Sequence, residues 1–175
     1  MTFQIFKLRV LAIALSMMAT ISVNAQEPAQ MQALIGQSLS KINPSKPETM
    51  LNSIAELKRV DAMFPDSILP KYQMALQSLN FSVMNPHAEQ TENLLADAEQ
   101  TINQLEQKDA NQSDICTLRG FLYMVRIVQD PAQNGQRYYM NVMQNYEKAL
   151  KINPDNQLAK QLQQKFMEGM KQAVQ

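Results

Sequence analysis

The sequence predicts an all-α protein built from stacked antiparallel helical hairpins. Apolar residues recur every three or four positions in the long segments of this 175-residue chain, which is the period of a helix and not of a strand. The chain also has only four glycines and eight prolines, too few for a turn-dense β protein. Ala, Leu, Met, Gln, Lys and Glu are abundant, and these residues favour helix.

Seven apolar stripes predict seven helices, and no segment has the alternation of a strand. The stripes begin at Met31, Met50, Ile68, Leu94, Ile115, Tyr139 and Leu158. Most breaks between them are short, so consecutive helices are expected to lie antiparallel. The predicted hairpins span residues 28–63, 68–107 and 112–151, and a closing helix spans 155–172.

One connection is expected to be longer than the others. Residues 130–136 read Asp-Pro-Ala-Gln-Asn-Gly-Gln, a composition that predicts an interruption of the helix. Because long ordered loops often carry function, Gly135, Arg137 and Tyr138 are candidate binding residues. The alternative is a spacer that only lets the following helix fold back.

The first 25 residues have the pattern of a secretory signal peptide. Lys7 and Arg9 precede the apolar run 10–23, which is shorter than the roughly 20 residues that span a bilayer. The run ends with small residues up to Ala25, where cleavage is expected. We therefore expect export to the periplasm or the extracellular space, and no membrane span in the mature form.

The charge balance argues against nucleic-acid binding. The full chain has a formal net charge of zero, and loss of the leader with Lys7 and Arg9 makes the mature part about −2. No basic field is available to hold a phosphate backbone.

The sequence contains no recognisable catalytic or metal-binding constellation. Cys116 is the single cysteine and lies among apolar residues, which predicts a buried thiol and no internal disulfide. His87 is the single histidine and has no second His or Cys to complete a zinc site. The carboxylate pairs Glu89/Glu92 and Asp97/Glu99 lie away from the apolar stripe of their helix, so they are expected to form a solvated face and not an acid/base pair. We expect no enzyme activity, no cofactor and no metal.

Two segments resemble tetratricopeptide (TPR) repeats. Tyr146, Ala149 and Pro154 have the spacing of an aromatic, a small residue and a stopping proline at the end of a TPR second helix. Gly120 and Tyr123 are spaced as the small and aromatic positions of a TPR first helix. With the leader, these features are similar to a group of exported bacterial TPR-like proteins. The resemblance implies a right-handed superhelix whose first helices line a groove for a peptide.

That resemblance indicates which polar residues are candidates for partner binding. Two helical faces carry amides, guanidiniums and an aromatic ring at spacings of three and four: Gln73, Gln77 and Asn80 on one helix, and Arg119, Tyr123 and Arg126 on another. Such groups are suited to a peptide backbone or a carboxylate. The alternative is that they are ordinary solvated residues.

The functional hypothesis is therefore an exported, non-catalytic interaction module that binds a protein or peptide. The alternative is a small-molecule carrier, with an apolar ligand held in a pocket between helical hairpins.

Overall fold

The computed structural model describes residues 29–109 and 112–173, so the predicted signal peptide lies outside the described residues. Within these ranges the chain is all-α, with seven helices and no strand. We number them α1 (Ala29–Ser40), α2 (Pro47–Met63), α3 (Ile68–Met84), α4 (Thr91–Asp109), α5 (Ser113–Gln129), α6 (Pro131–Ile152) and α7 (Gln157–Ala173). The predicted all-α class is confirmed.

The helix boundaries agree closely with the predicted hairpins. The pairs α1–α2, α3–α4 and α5–α6 occupy the three predicted hairpin ranges, and α7 is the closing helix. Helices that follow one another in the chain also pack against one another. Short connections favour this arrangement because each helix folds back on its predecessor.

The predicted loop at residues 130–136 is wrong, because α6 begins at Pro131 and continues without interruption to Ile152. Proline suits the first helical position, where its missing N–H would have no partner in the helix and its φ is already helical. The Asp130 carboxylate caps the helix by accepting a hydrogen bond from the Gln133 backbone N–H at 3.1 Å. Asp130 alone therefore connects α5 to α6.

The helices α3 and α5 lie at the centre of the molecule. The first packs against α2, α4 and α5, and the second packs against α3, α4, α6 and α7. Tyr72, Phe121 and Tyr146 are among the largest side chains of the main core, and each is at most 1% exposed. Burial of this apolar surface is the main source of stability, since the described residues contain no disulfide.

A buried asparagine fixes the closing helix to the last hairpin. The Asn156 side chain donates to Ser113 Oγ at 2.8 Å, and that hydroxyl donates to the Ala149 carbonyl of α6 at 2.8 Å. Asn156 Oδ1 also accepts from the Ala159 backbone N–H at 2.9 Å, so it caps α7. The ends of α5, α6 and α7 are thus joined through one polar cluster.

None of the described helices is both long enough and apolar enough to cross a lipid bilayer.

Candidate functional site

A cleft of about 260 Å³ lies where α4, α5 and α6 meet. Its walls combine charged, aromatic and amide side chains: Glu99 from α4; Leu122, Tyr123 and Arg126 from α5; and Asn134, Arg137 and Tyr138 from α6. Four of the sequence-predicted candidates therefore converge on this one cleft, although they came from two separate segments of the sequence.

The tight turn at Asp130 brings these residues together. Tyr123 and Arg126 lie near the end of α5, and the first turns of α6 follow after a single connecting residue. The Asn134 side chain donates to the Arg126 carbonyl at 2.8 Å. That carbonyl belongs to the last turn of α5, and it also accepts from the Asp130 backbone N–H just beyond the helix at 3.4 Å. Asn134 therefore ties the start of α6 to the end of α5 beside the cleft.

Two tyrosines form the aromatic wall of the cleft. The rings of Tyr123 and Tyr138 are stacked, with centroids 5.3 Å apart and an interplanar angle of 25°. The Arg137 guanidinium lies over the Tyr138 ring, 4.9 Å from its centroid, which is within the range of a cation–π contact. The three side chains form one continuous layer.

Arg126 is held at the cleft by carboxylates of α4. Its Nη1 donates to Glu92 Oε2 at 2.9 Å, and its Nη2 lies 3.9 Å from Glu99 Oε2. Gln129 donates to the other Glu92 oxygen at 2.6 Å. The hydrogen bond from Arg126 is the largest cause that holds the pKa of Glu92 below its ordinary value, and it outweighs partial burial. Glu92 is therefore ionised at neutral pH.

Arg119 does not open onto the cleft. The residue is 8% exposed, and its guanidinium binds both Glu106 oxygens, with Nε at 3.0 Å and Nη2 at 2.6 Å, and also binds Asn103. Burial lowers the pKa of Arg119, but the hydrogen bonds and charge of Glu106 outweigh burial and leave it raised. The prediction that this arginine lies on an open groove face is corrected, because α4 covers it.

The two arginines belong to a charged ladder between α4 and α5. Glu92, Glu99 and Glu106 repeat every seven residues on α4, and Arg119 and Arg126 are seven residues apart on α5. Arg119 pairs with Glu106 and Arg126 with Glu92, while Glu99 lies about 4 Å from both guanidiniums. This order shows that the two helices are antiparallel. Glu92 is exposed, as a solvated face predicts, and Glu99 is partly buried beside the two guanidiniums.

The polar residues predicted on α3 are buried and do not line the cleft. Gln73, Gln77 and Asn80 are 5%, 5% and 2% exposed, and Asn80 donates to Gln77 Oε1 at 3.2 Å. The expectation that they face an open groove is corrected, because α2, α4 and α5 all pack against α3. The amides of Asn80 and Gln77 are thus bonded to each other inside the protein.

Gly135 is a helical residue beside the cleft and not a loop residue. An ideal Cβ at this position would meet no atom within 4 Å, so the glycine is not needed for close packing there. Arg137 and Tyr138, predicted from the same segment, do lie at the cleft. The segment thus contributes to the site as the first two turns of α6.

Sequence reasoning missed three lining residues: Glu99, Leu122 and Asn134. The seven-residue repeat of Glu92, Glu99 and Glu106 against Arg119 and Arg126 was the available signal for Glu99. Leu122 was assigned only to the apolar stripe. Asn134 was assigned to the predicted loop, and nothing in its sequence context indicated a bond to Arg126.

Groups suited to catalysis or metal binding do not gather in the described part of the chain. His87 is exposed in the turn after α3, whereas Cys116 is 3% exposed on α5. Burial is the largest cause that raises the pKa of the Cys116 thiol. Among residues 29–109 and 112–173, no three His, Cys, Asp or Glu side chains are grouped so that they could hold a metal ion.

The geometry of the cleft favours binding of a polar ligand. It offers guanidinium donors, a carboxylate acceptor and an aromatic wall, and none of its described lining residues is a histidine or a cysteine. No protein-family model, curated protein or solved structure matches this chain.

Proposed function

We propose that this chain is an exported, non-catalytic, TPR-like interaction module that binds a protein or peptide partner in the cleft between α5 and α6. The observation that carries the proposal is the convergence of Tyr123, Arg126, Arg137 and Tyr138 on one cleft. Arginine and tyrosine dominate the energetics of protein interfaces, because they combine a large contact area with hydrogen bonding.

The volume of the cleft supports a peptide ligand. Sites for whole metabolites or drug-sized molecules usually enclose about 300–1,000 Å³. This cleft, at about 260 Å³, is smaller, so it suits one or two side chains of a longer partner. The rest of that partner would lie on the surrounding helical surface.

A second space between helices is too small to support the alternative carrier function. It is lined by residues of α2, α3 and α4, including Ile54, Met74 and Ala98, and encloses about 20 Å³. One water molecule needs roughly 10–15 Å³ by the same kind of measure. An apolar metabolite would not fit there without separation of the helices.

The binding experiment uses the full chain, expressed from its own gene with a C-terminal tag, and captured from the cell-envelope fraction. Bound proteins and extractable small molecules are both identified by mass spectrometry. We expect one protein to be captured by the wild type and strongly depleted with Arg137→Ala. Arg59→Ala removes the same charge from the exposed face of α2 and should leave capture unchanged.

Two results would overturn the binding proposal. One is equal capture of every protein by the wild type and by Arg137→Ala. The other is a co-purifying lipid or metabolite with no protein partner, which would support the carrier function. The intact mass of the recovered protein tests export separately: cleavage near Ala25 is expected, and an uncleaved chain in the cytosol would contradict export.

A further inference from the structure

We infer that the cleft recognises a carboxylate group of the partner, with Arg137 as the principal ligand-binding residue and Arg126 as its support. The inference rests on the proposed binding function, and it specifies the chemical feature of the partner that the cleft selects. Both guanidiniums line the same space and come from different helices.

Arg137 is the arginine of the cleft that is available to a ligand. Its side chain is exposed, and it makes no ion pair with any residue in the described ranges. The contact with the Tyr138 ring uses the face of the guanidinium, 4.9 Å from the ring centroid. The N–H groups at the edge of the guanidinium plane remain free, and their fork matches the two oxygens of a carboxylate.

The Tyr138 ring also restricts Arg137 before the ligand arrives. A long arginine side chain loses conformational entropy when it is immobilised in a complex, and this loss weakens binding. Because the Tyr138 ring is itself stacked on the Tyr123 ring, the ring that contacts the guanidinium is held in place. The two stacked rings therefore reduce the conformational entropy that the Arg137 side chain loses when a ligand binds.

Arg126 supplies a second guanidinium group, whose Nη2 atom is partly available to a ligand. Its Nη1 is hydrogen-bonded to Glu92, but its Nη2 lies 3.9 Å from the nearest Glu99 oxygen, which is beyond hydrogen-bond distance. An oxygen of the ligand can therefore accept from Nη2 without displacing the Glu92 pair. Leu122 and the tyrosine rings provide apolar contact for the carbon atoms next to the carboxylate.

The charges of the lining residues favour a single negative charge on the ligand. Arg126 already has Glu92 and Glu99 beside it, so Arg137 is the lining guanidinium whose positive charge has no carboxylate partner among the described residues. A carboxylate neutralises that charge. A doubly charged phosphate would leave an excess negative charge facing the Glu99 carboxylate, and these two like charges would repel each other.

The test uses short peptide probes and nuclear magnetic resonance of the ¹⁵N-labelled protein. The chain has five arginines, so the Nε–Hε signals are few and can be assigned by single substitutions. The probes are N-acetyl-Ala-Glu-Ala-amide, its Gln counterpart, and the Gln counterpart with a free terminal carboxylate. Inorganic phosphate at matched ionic strength is the fourth probe.

We expect saturable shifts of the Arg137 and Arg126 signals with a carboxylate probe and much weaker shifts with the uncharged peptide. Loss of a charge-assisted hydrogen bond should weaken binding about tenfold in Arg137→Gln. Arg137→Lys keeps the charge and should restore only part of the affinity, because the planar fork is lost. Arg59→Gln, with the same charge change outside the cleft, should bind as the wild type does.

The two carboxylate probes distinguish an acidic side chain from a chain terminus as the group recognised, and a response to either supports the inference. Equal binding of the uncharged peptide, tighter binding of phosphate, or no response to any probe would overturn it. If partner capture depends on Arg137 but one of these results is obtained, the binding function remains supported and only the recognition of a carboxylate is contradicted. Equal capture of every protein by the wild type and by Arg137→Ala would instead contradict the binding function itself.

Discussion

Gly120 of α5 lies directly against the ring of Tyr146 of α6, and there is no room between them for a side chain. An ideal Cβ at Gly120 would be 2.7 Å from Tyr146 Cε1 and 2.9 Å from Cδ1. The tyrosine is 0% exposed, and its hydroxyl lies 3.7 Å from the Met124 sulfur. The ring cannot move aside without disturbing the core, so the spacing of α5 and α6 depends on the glycine.

Replacement of Gly120 by alanine should therefore destabilise the protein. Alanine has the higher helix propensity by roughly 1 kcal/mol, but overpacking of a closed core costs about 1–3 kcal/mol. We expect a net loss in the free energy of unfolding of about 1 kcal/mol, and of no more than about 2 kcal/mol. Urea unfolding followed by circular dichroism measures it.

Gly135→Ala is the matched control, since it makes the same substitution in α6 where an added Cβ meets nothing within 4 Å. That variant should gain about 0.5–1 kcal/mol, because alanine loses less entropy in a helix than glycine does. Unchanged or increased stability in Gly120→Ala would show that Tyr146 can relax. A loss of stability in Gly135→Ala would contradict a helical start to α6.

Much of the fold could be predicted because its signals are local. The spacing of apolar residues sets the helices, and short breaks set the hairpins. The resemblance to TPR repeats indicates Gly120 and Tyr146 separately, each by its spacing within one helix, but does not indicate that they touch. The prediction fails at residues 130–136 because Asn134 and Gly135 have low helix propensity, whereas Asp130 followed by a proline is the stronger signal and starts a helix there.

The candidate site could be predicted only in part, because it depends on the register between helices. Tyr123 and Arg126 were correctly placed near one another by their spacing on α5. Arg119 shares their spacing but is covered by α4, and sequence alone does not say which side of α5 that helix covers. Which charges pair is decided by the relative shift of two helices, a tertiary property that local propensities do not contain.

Arg119→Ala should destabilise the fold, because the substitution removes a buried bidentate pair. The Arg119 side chain is 10% exposed and the Glu106 side chain 35% exposed, so the remaining carboxylate can recover some hydration. We expect a loss of about 2 kcal/mol in the free energy of unfolding. Arg59→Ala, on an exposed helical face, should stay within about 0.5 kcal/mol of the wild type. Equal stability of both variants in urea would show that the Arg119 pair contributes nothing.

The pair between Glu92 and Arg126 should make stability depend on pH in the acid range. The pKa of Glu92 is held below its ordinary value of 4.5, chiefly by the hydrogen bond from Arg126. Its contribution is therefore complete above pH 4.5 and is lost as the pH falls through the lower pKa of the folded state. Because the Glu92 side chain is 69% exposed, solvent screening limits the contribution to about 1 kcal/mol or less.

The measurement compares urea unfolding of the wild type and Glu92→Gln between about pH 3 and pH 7. The wild type should be the more stable at pH 7, and the difference should shrink as the pH falls below 4.5. A difference that stays constant over the whole range would mean that the charge of Glu92 is not responsible.

The Asp130 cap should control both the start of α6 and the shape of the cleft. Its carboxylate accepts from the Gln133 backbone N–H at 3.1 Å, and the next turns of α6 carry Asn134, Arg137 and Tyr138. Asp130→Ala should lower the free energy of unfolding by about 1 kcal/mol, the usual cost of a lost N-terminal cap. Faster amide hydrogen exchange should be confined to the first turn of α6. Asp130→Asn keeps a capping oxygen and should retain most of the stability. Unchanged exchange at residues 132–134 in the alanine variant would show that Pro131 and packing alone hold this end of the helix.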